Sequence, residues 1–329
     1  MSNEFFRFGT EFHIDILYHL FAHMDLGQDF TNLYSKEYIK TMEGEKYNLG
    51  ICDEGLQDKL NNIKDIYIRN NLYILNFLSY KFNCYDELLE ALKGLSEDST
   101  VKHDDSFIRI CKEKYFTSHE SKAFLREFIK IMQYEKESFY ENYWCTKQKE
   151  LENVKYKFID LCNKKLSKIF LPIIKYENKQ PLIYLSLSMT CNGRGGFTSR
   201  EFLNAAVKFP QREEEFIESF FTAIHEMTHQ FVDDITFKAM GVNDKFMVID
   251  YDTHIIRESA VIYTDYLLCK KYLPEHLEKY LSCMLNGPEH NNGNSKTSIN
   301  DLEEEFNKKF QVPKEVLDGV LEYFNGIEN

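Results

Sequence analysis

The sequence lacks the features that mark secreted, membrane-spanning or disulfide-linked proteins. Its 8 cysteines are scattered and form no CxxC pair, which is typical of reduced thiols in the cytoplasm and argues against a metal site made of cysteines. The N-terminus has no basic segment followed by an apolar one, so we expect no secretion signal. No apolar run reaches the roughly 18 residues that a membrane-spanning helix needs. We therefore expect a cytoplasmic protein without membrane contact.

Positive charge is also in short supply. The chain has 40 Lys and Arg against 53 Asp and Glu, a net charge of −13, and this surplus would repel the backbone of a nucleic acid. The glycine-rich segment 191–196 has neither the GxxxxGK[ST] nor the GxGxxG spacing of phosphate-binding loops. Nucleic acid is thus not expected as a partner, and we interpret the segment as a hairpin connection.

Proline is rare as well, with only 6 in the chain, so no proline-rich linker divides it. The 329 residues, 43% of them hydrophobic, suffice for one large domain or two ordinary ones. Apolar residues recur at helical spacing in four N-terminal segments, 14–21, 66–77, 124–131 and 139–161. We predict a helical N-terminal region over 1–170, a second region over 171–275, and a C-terminal helical segment over 276–329 with two short helices around Pro313.

The most informative stretch that is present is an HExxH sequence made by His225, Glu226 and His229. Apolar residues at helical spacing place it inside one helix over about 213–240, which Gly241 would end. At about 100° per residue, histidines four apart lie on the same face and can bind one metal ion. Glu226 then lies beside the metal and can accept a proton from a water molecule that the metal acidifies.

The alternative for this stretch is a buried helix whose two histidines form hydrogen bonds within the core. That arrangement would bury an unpaired glutamate between the histidines, and such a burial costs several kcal/mol without compensation. The residue types and their spacing therefore favour a metal site, and zinc is the metal that histidines four apart on a helix commonly bind.

A catalytic zinc ion needs a third protein ligand and one open position. The extended HExxHxxGxxH form requires glycine at 232 and histidine at 235, where this chain has valine and isoleucine. Glu258, 29 residues after His229, is the natural third ligand, because the interval leaves room for a turn and a second, antiparallel helix. His254 and Asp265 on the same face of that helix are alternative ligands. An ordinary helix-surface role for Glu258 also stays open.

With His225, Glu226, His229 and Glu258, the chain resembles the gluzincin branch of the zincin metallopeptidases over about residues 170–275. The resemblance implies a zinc ion held by the two histidines and Glu258, with Glu226 as general base and then proton donor to the leaving amine. Many members place an aspartate four residues after the ligand glutamate to orient a zinc histidine, whereas this chain has isoleucine at 262. Asp265, one further turn along, is the candidate replacement.

The resemblance also implies a fold. It is of the α+β class and predominantly helical, with a large helical N-terminal part and a zincin-like catalytic region. That region combines a small sheet that has an edge strand, the HExxH helix and the helix of the third ligand. Segment 182–189 is predicted to form a strand. As the edge strand above the zinc helix, it would receive an extended peptide substrate through backbone hydrogen bonds.

Members of the family stabilise the oxyanion of the reaction with a tyrosine or histidine outside the zinc ligands. Four residues are candidates for this role here, Tyr251, His254, Tyr263 and His290. His290 lies in a polar segment, 286–294, whose mobility would let it close over substrate. The sequence does not choose between the four.

We expect a zinc-dependent hydrolase that cleaves peptide bonds in a peptide or protein substrate. The alternative is a zincin-fold protein that keeps zinc for binding or structure and cleaves nothing. A di-iron carboxylate site is excluded because it needs a second ExxH, and no other histidine has a glutamate three residues before it. His19 and His23 are also four apart, but no carboxylate lies between them, and we interpret them as structural. His13, nearby, would reach the candidate site only if its helix packed on that site.

Overall fold

A computed structural model of the chain describes residues 6–24, 26, 36–51, 55–97, 106–177, 180–189, 193–195, 202–242, 251–286 and 298–328. Helices dominate this part of the chain, and four short strands form one mixed sheet. The predicted class, α+β and predominantly helical, is thereby confirmed. Within the described residues, no helix combines the length and the apolar character that a membrane span requires.

Eight α-helices lie in the described residues up to Glu150. They are α1 (Phe12–His23), α2 (Lys36–Asn48), α3 (Leu56–Arg69), α4 (Leu75–Leu78), α5 (Tyr85–Ser96), α6 (Ser106–Lys114), α7 (His119–Glu135) and α8 (Glu141–Glu150). A single π-helical turn, Lys136–Tyr140, joins α7 to α8. The predicted helices at 14–21 and 124–131 are confirmed within α1 and α7.

Two of the predicted helical segments are interrupted. The segment 66–77 breaks after Arg69, because Asn71 adopts a left-handed conformation with φ of 52° that an α-helix does not accommodate. The segment 139–161 breaks at Leu151, where α8 ends and the next helix begins. Hydrophobic spacing alone shows neither break, because it records which face is buried and not the dihedral angles of single residues.

The remaining helices are α9 (Glu152–Glu177), α10 (Phe216–Ala239), α11 (Tyr251–Tyr272), α12 (Leu277–Asn286), α13 (Ile299–Lys309) and α14 (Lys314–Glu328). The last two flank Pro313, as predicted. The helix α13 begins with a capping box between Ser298 and Asp301. Position 170, where we predicted the first regional boundary, lies inside α9, and the division into three regions stays a prediction.

The sheet has the strand order β1 (Arg7–Gly9), β2 (Gln180–Ser186), β4 (Phe202–Lys208) and β3 (Arg194–Gly195). The first three strands run parallel, and β3 pairs antiparallel to β4. The predicted strand at 182–189 exists as β2, but its predicted place at an edge is wrong. It pairs with β1 on one side and with β4 on the other, which leaves β1 and β3 at the edges of the described sheet.

The sheet separates two hydrophobic cores. Side chains alternate between the faces of a strand, so Tyr184 of β2 and Ala206 of β4 pack with the helices α1 to α7. Ile183 and Ala205, their neighbours in sequence, face the second core together with α9, α10 and α11. The predicted site residues that the structure describes lie on α10 and α11, which contribute to the second core, whereas the first core covers the opposite face of the sheet.

Candidate metal centre

The helix α10 carries the HExxH sequence over the predicted span. A short helical turn, Glu213–Glu215, leads into it, and its C-terminal end is closed by Gly241, whose φ of 71° is readily adopted by glycine. Phe220, Ile224 and Met227 are fully or almost fully buried on the side that faces the core. His225 and His229 lie one turn apart on the adjoining face, with ring centroids 4.7 Å from each other.

The helix α11 lies antiparallel to α10. Its residue 257 pairs with residue 233, its residue 258 with 229, and its residue 265 with 225, so one helix ascends as the other descends. Ser259 and Ala260 are buried beside Glu258, and their small side chains allow the two helices to approach closely. This packing brings Glu258 between the two histidines.

Three ligand-type atoms converge at this point. The Nε2 atoms of His225 and His229 are 3.1 Å apart. The Oε2 atom of Glu258 lies 3.3 Å from the Nε2 of His225 and 3.5 Å from that of His229. These residues form the one group of three or more candidate metal ligands found among the described residues, and the structure thus brings together the three ligands that the sequence predicted.

The other ring nitrogens of the two histidines are held by aspartates. The Nδ1 atom of His225 lies 3.0 Å from Asp265 Oδ2, and the Nδ1 atom of His229 lies 2.9 Å from Asp233 Oδ1. A carboxylate at Nδ1 fixes the imidazole orientation and directs Nε2 toward a metal. Asp265 is therefore the residue that orients His225, as proposed for it in place of the family aspartate, and it does not face the ligand cluster itself.

Sequence reasoning missed Asp233 and Arg257. Asp233 is four residues after His229, so helical spacing already places it on the same face of α10. Arg257 donates a hydrogen bond from Nη2 to Glu258 Oε1 at 3.0 Å, and its Nε lies 3.6 Å from Asp233 Oδ1. It holds the oxygen of Glu258 that does not face the histidines. No motif indicates this arginine, because its role depends on how the two helices pack.

Negative charge governs the titration of the centre. Burial by itself lowers the pKa of His225, but hydrogen bonds with Asp265 and Glu258 raise it well above its ordinary value. In His229, the charges of Asp233 and Glu258 overcome the same effect of burial and raise the pKa to about 9. Burial favours the neutral form of Glu258, yet the two histidines lower its pKa well below its usual range. The site therefore favours positive charge at its middle.

The predicted catalytic carboxylate, Glu226, is buried beside this centre. Its Oε2 atom accepts a hydrogen bond from the backbone N–H of Gly195 in β3. Gly193 and Gly195 lie directly against it: a Cβ at Gly195 would come within 3.1 Å of Glu226 Oε2 and within 2.7 Å of Gln230 Nε2. Within the segment that we interpreted as a hairpin connection, the described residues 193–195 thus lie against the HExxH sequence.

The four candidates for stabilising an oxyanion are placed differently. His254 is half-exposed on α11, with its Nδ1 atom 3.8 Å from Glu258 Oε1. Tyr263 packs against Tyr266 and Phe306, which is the environment of a structural tyrosine. His290 and the side chain of Tyr251 lie outside the described residues. Of the described candidates, His254 is the one beside the centre.

The N-terminal histidines have other partners. His19 is fully buried between Tyr38, 2.8 Å from its Nδ1, and Glu135, 2.8 Å from its Nε2. Lys46 pairs with the second oxygen of Glu135 at 2.8 Å. His13 lies 2.9 Å from the carbonyl oxygen of Phe82. These contacts agree with the structural interpretation of His19, and they place His13 against the backbone of Phe82.

Comparison of the chain with protein-family models, with curated proteins and with solved structures gives no match. What the chain does is therefore inferred from the residues of the centre.

Proposed function

We propose that the chain is a zinc-dependent hydrolase of the gluzincin type that cleaves peptide bonds. The observation that carries this proposal is the convergence of His225, His229 and Glu258, whose ligand atoms lie 3.1, 3.3 and 3.5 Å apart. A tetrahedral zinc ion with bonds of about 2.0–2.1 Å requires ligand atoms about 3.3 Å from one another. The donor set therefore fits zinc, and three protein ligands leave the fourth position for the reaction.

The chemistry of the donor set supports the same metal. Two neutral imidazoles and one carboxylate make the ligand set of catalytic zinc sites that keep an open position. Asp265 and Asp233 occupy the far nitrogens of both histidines, so each imidazole presents Nε2 to the centre. Bound zinc would supply Lewis-acid polarisation of a carbonyl group and would acidify a water molecule.

Glu226 carries the proton transfers in this proposal. It follows His225 on α10, it is buried, and its carboxylate is fixed by the N–H of Gly195. As general base it takes a proton from the attacking water, and it then delivers that proton to the departing nitrogen. His254, half-exposed beside Glu258, is the described residue placed to stabilise negative charge on the substrate oxygen.

The proposed substrate is a peptide or a protein, and the proposed location is the cytoplasm. The expected addition of substrate to the strand at 182–189 is not part of the proposal, because β2 has hydrogen-bonded neighbours on both sides. The pairing with β1 over Leu182–Tyr184 and with β4 over Gln180–Ser186 already uses backbone groups that an added peptide would need.

The experiment that tests this function compares Glu226→Gln with the wild type on a peptide library, after both are loaded with zinc. We expect the wild type to cleave and the variant to lose about 10²–10⁴-fold in rate, since a positioned general base contributes that much. The variant should retain its zinc, because Glu226 is not a ligand in the proposal. Glu218→Gln, on the same helix two turns earlier, is the matched control and should keep full activity.

Two outcomes would contradict the proposal. Cleavage that is unchanged in Glu226→Gln would show that this carboxylate is not the base. Stoichiometric zinc with no cleavage of any peptide would favour the alternative, a zincin-fold protein that retains zinc for binding or structure.

A further inference from the structure

One peptide group, between Arg194 and Gly195, joins the N-terminal helices to Glu226. The hydroxyl of Tyr80 donates a hydrogen bond to the Arg194 carbonyl oxygen at 2.8 Å. The N–H of Gly195 donates to Glu226 Oε2. Because this carbonyl and this N–H belong to the same amide, a side chain from the first core holds one end and the carboxylate of α10 holds the other.

Tyr80 is held in place by Tyr18 and Tyr184. It is buried, and its hydroxyl lies 2.7 Å from the hydroxyl of Tyr18, which is also 3.1 Å from the carbonyl oxygen of Asn76. The ring of Tyr80 stacks on Tyr184 of β2, with centroids 5.6 Å apart. Burial raises the pKa of Tyr80 well above its ordinary value, so the hydroxyl keeps the proton that it donates to Arg194.

Two hydrogen bonds that share one amide group strengthen each other. An amide whose oxygen accepts a hydrogen bond is polarised and becomes a better donor at its nitrogen, and the effect is greatest where water is excluded. The bond from Tyr80 to Arg194 therefore strengthens the bond from Gly195 to Glu226. It also restrains the rotation of the peptide, so the N–H keeps its direction toward the carboxylate.

Gly193 and Gly195 allow the backbone of this segment to lie close enough to α10 for the hydrogen bond to Glu226. A Cβ at position 193 would collide with Glu226 Cγ and would come within 2.8 Å of the Ala206 carbonyl oxygen. A Cβ at 195 would lie 2.7 Å from Gln230 Nε2. Real Cβ atoms essentially never come that close. Both positions thus fit glycine because the backbone itself packs against the HExxH helix.

We propose that Tyr80 is a positioning residue of the centre, which acts on Glu226 through the Arg194–Gly195 peptide. Tyr80 belongs to the helical N-terminal part and contacts none of the three candidate metal ligands. A residue of the first core therefore helps to position the proposed base. The consequence for catalysis rests on the proposed role of Glu226, whereas the hydrogen-bonded bridge itself does not.

The bridge can be observed by itself in the full-length chain. Arg194–Gly195 is the one Arg-Gly pair in the sequence, so labelling arginine with ¹³C at the carbonyl and glycine with ¹⁵N yields a single cross-peak in a carbonyl-to-amide correlation spectrum. That peak reports the Arg194 carbonyl and the Gly195 amide together. In Tyr80→Phe, we expect the carbonyl ¹³C and the amide ¹H to move upfield, because both hydrogen bonds weaken. In Glu226→Gln, the amide ¹H should move upfield as well.

Tyr67→Phe is the matched control for this spectrum. Tyr67 is also fully buried, and its hydroxyl accepts a hydrogen bond from Asn76 Nδ2 at 2.9 Å. Its removal deletes a buried hydroxyl of the same core without touching β3, so the cross-peak should stay in place. A peak that does not move in Tyr80→Phe, or that moves equally in Tyr67→Phe, would overturn the proposal.

Kinetics test the consequence for Glu226. With a cleaved peptide in hand, Tyr80→Phe should lower kcat about five- to tenfold and leave KM and zinc content unchanged, since one net hydrogen bond of support is lost. Tyr67→Phe should leave kcat unchanged. Equal kcat in Tyr80→Phe and the wild type would overturn the positioning role. A failure of the hydrolase proposal appears separately, in the Glu226→Gln comparison, because the spectrum requires neither zinc nor substrate.

Discussion

At the scale of residues, two carboxylates fix the orientation of the histidines in the candidate centre. Asp265 and Asp233 each hold the Nδ1 atom of one histidine, at 3.0 and 2.9 Å. Arg257 bridges Asp233 and Glu258 from the other side. The three ligand-type side chains are therefore held in place by partners that do not face the proposed metal, which is how protein sites tune affinity.

The first prediction concerns Asp233. We expect Asp233→Asn to weaken zinc binding about 10- to 100-fold, because the hydrogen bond to His229 Nδ1 would lose its charge. Asp234→Asn is the matched control, since Asp234 is the exposed neighbour on the same helix and should leave the affinity unchanged. Competition with a calibrated chelator measures both constants. Equal affinities for the two variants would contradict the role assigned to Asp233.

The residues of the centre differ in how far the sequence could predict them. His225, Glu226 and His229 follow from helical spacing, and the convergence of Glu258 follows from a plausible interval between two helices. Helical spacing could also have predicted Asp233, which lies four residues after His229. It could not have predicted Tyr80, because its contact with Arg194 joins residues 114 positions apart, and such contacts depend on how two cores meet across a sheet.

At the scale of elements, strand β3 and the preceding Gly193 pack tightly against the helix α10. The backbone at Gly193 and Gly195 lies against Glu226, and no side chain larger than hydrogen fits at either position without displacement of a neighbour. The N–H of the Arg194–Gly195 peptide donates a hydrogen bond to the carboxylate of Glu226. The shape of this short strand thus decides where the proposed base points.

The second prediction follows from that contact. Gly193→Ala should displace Glu226 and destabilise the fold by about 1–3 kcal/mol, the usual effect of overpacking. Gly94→Ala in α5 is the matched control, because a Cβ there meets nothing within 4 Å and alanine is favoured in a helix. Urea unfolding followed by circular dichroism measures the free energy of both. A Gly193→Ala protein as stable as the wild type would show that the close approach is not present.

The sheet shows where prediction of elements from sequence ends. The strand at 182–189 was visible as β2, but its neighbours were not. Strand β4 (Phe202–Lys208) is the parallel partner of β2, and β1 lies more than 170 positions earlier in the chain. Pairing between strands so far apart is fixed by packing on both faces and not by a local pattern. The edge assignment therefore failed although the strand itself was found.

At the scale of the whole molecule, Asp15 ties the helical part to the sheet. It is fully buried on α1 and accepts hydrogen bonds from Trp144 Nε1 at 2.8 Å and from the backbone N–H of Leu187 at 3.2 Å. Burial raises its pKa to about 6. Together with the bond from Tyr80 to Arg194, this contact links the N-terminal helices to the sheet.

We propose that His225, His229 and Glu258 bind one zinc ion beside the second core. The most direct measurement is the metal content of the tag-free, full-length chain by plasma mass spectrometry, after zinc loading and dialysis against metal-free buffer. We expect about one zinc ion per chain for the wild type and loss of tightly bound zinc in Glu258→Ala. A wild type that retains no zinc, or a Glu258→Ala variant that retains it fully, would contradict the proposed zinc site.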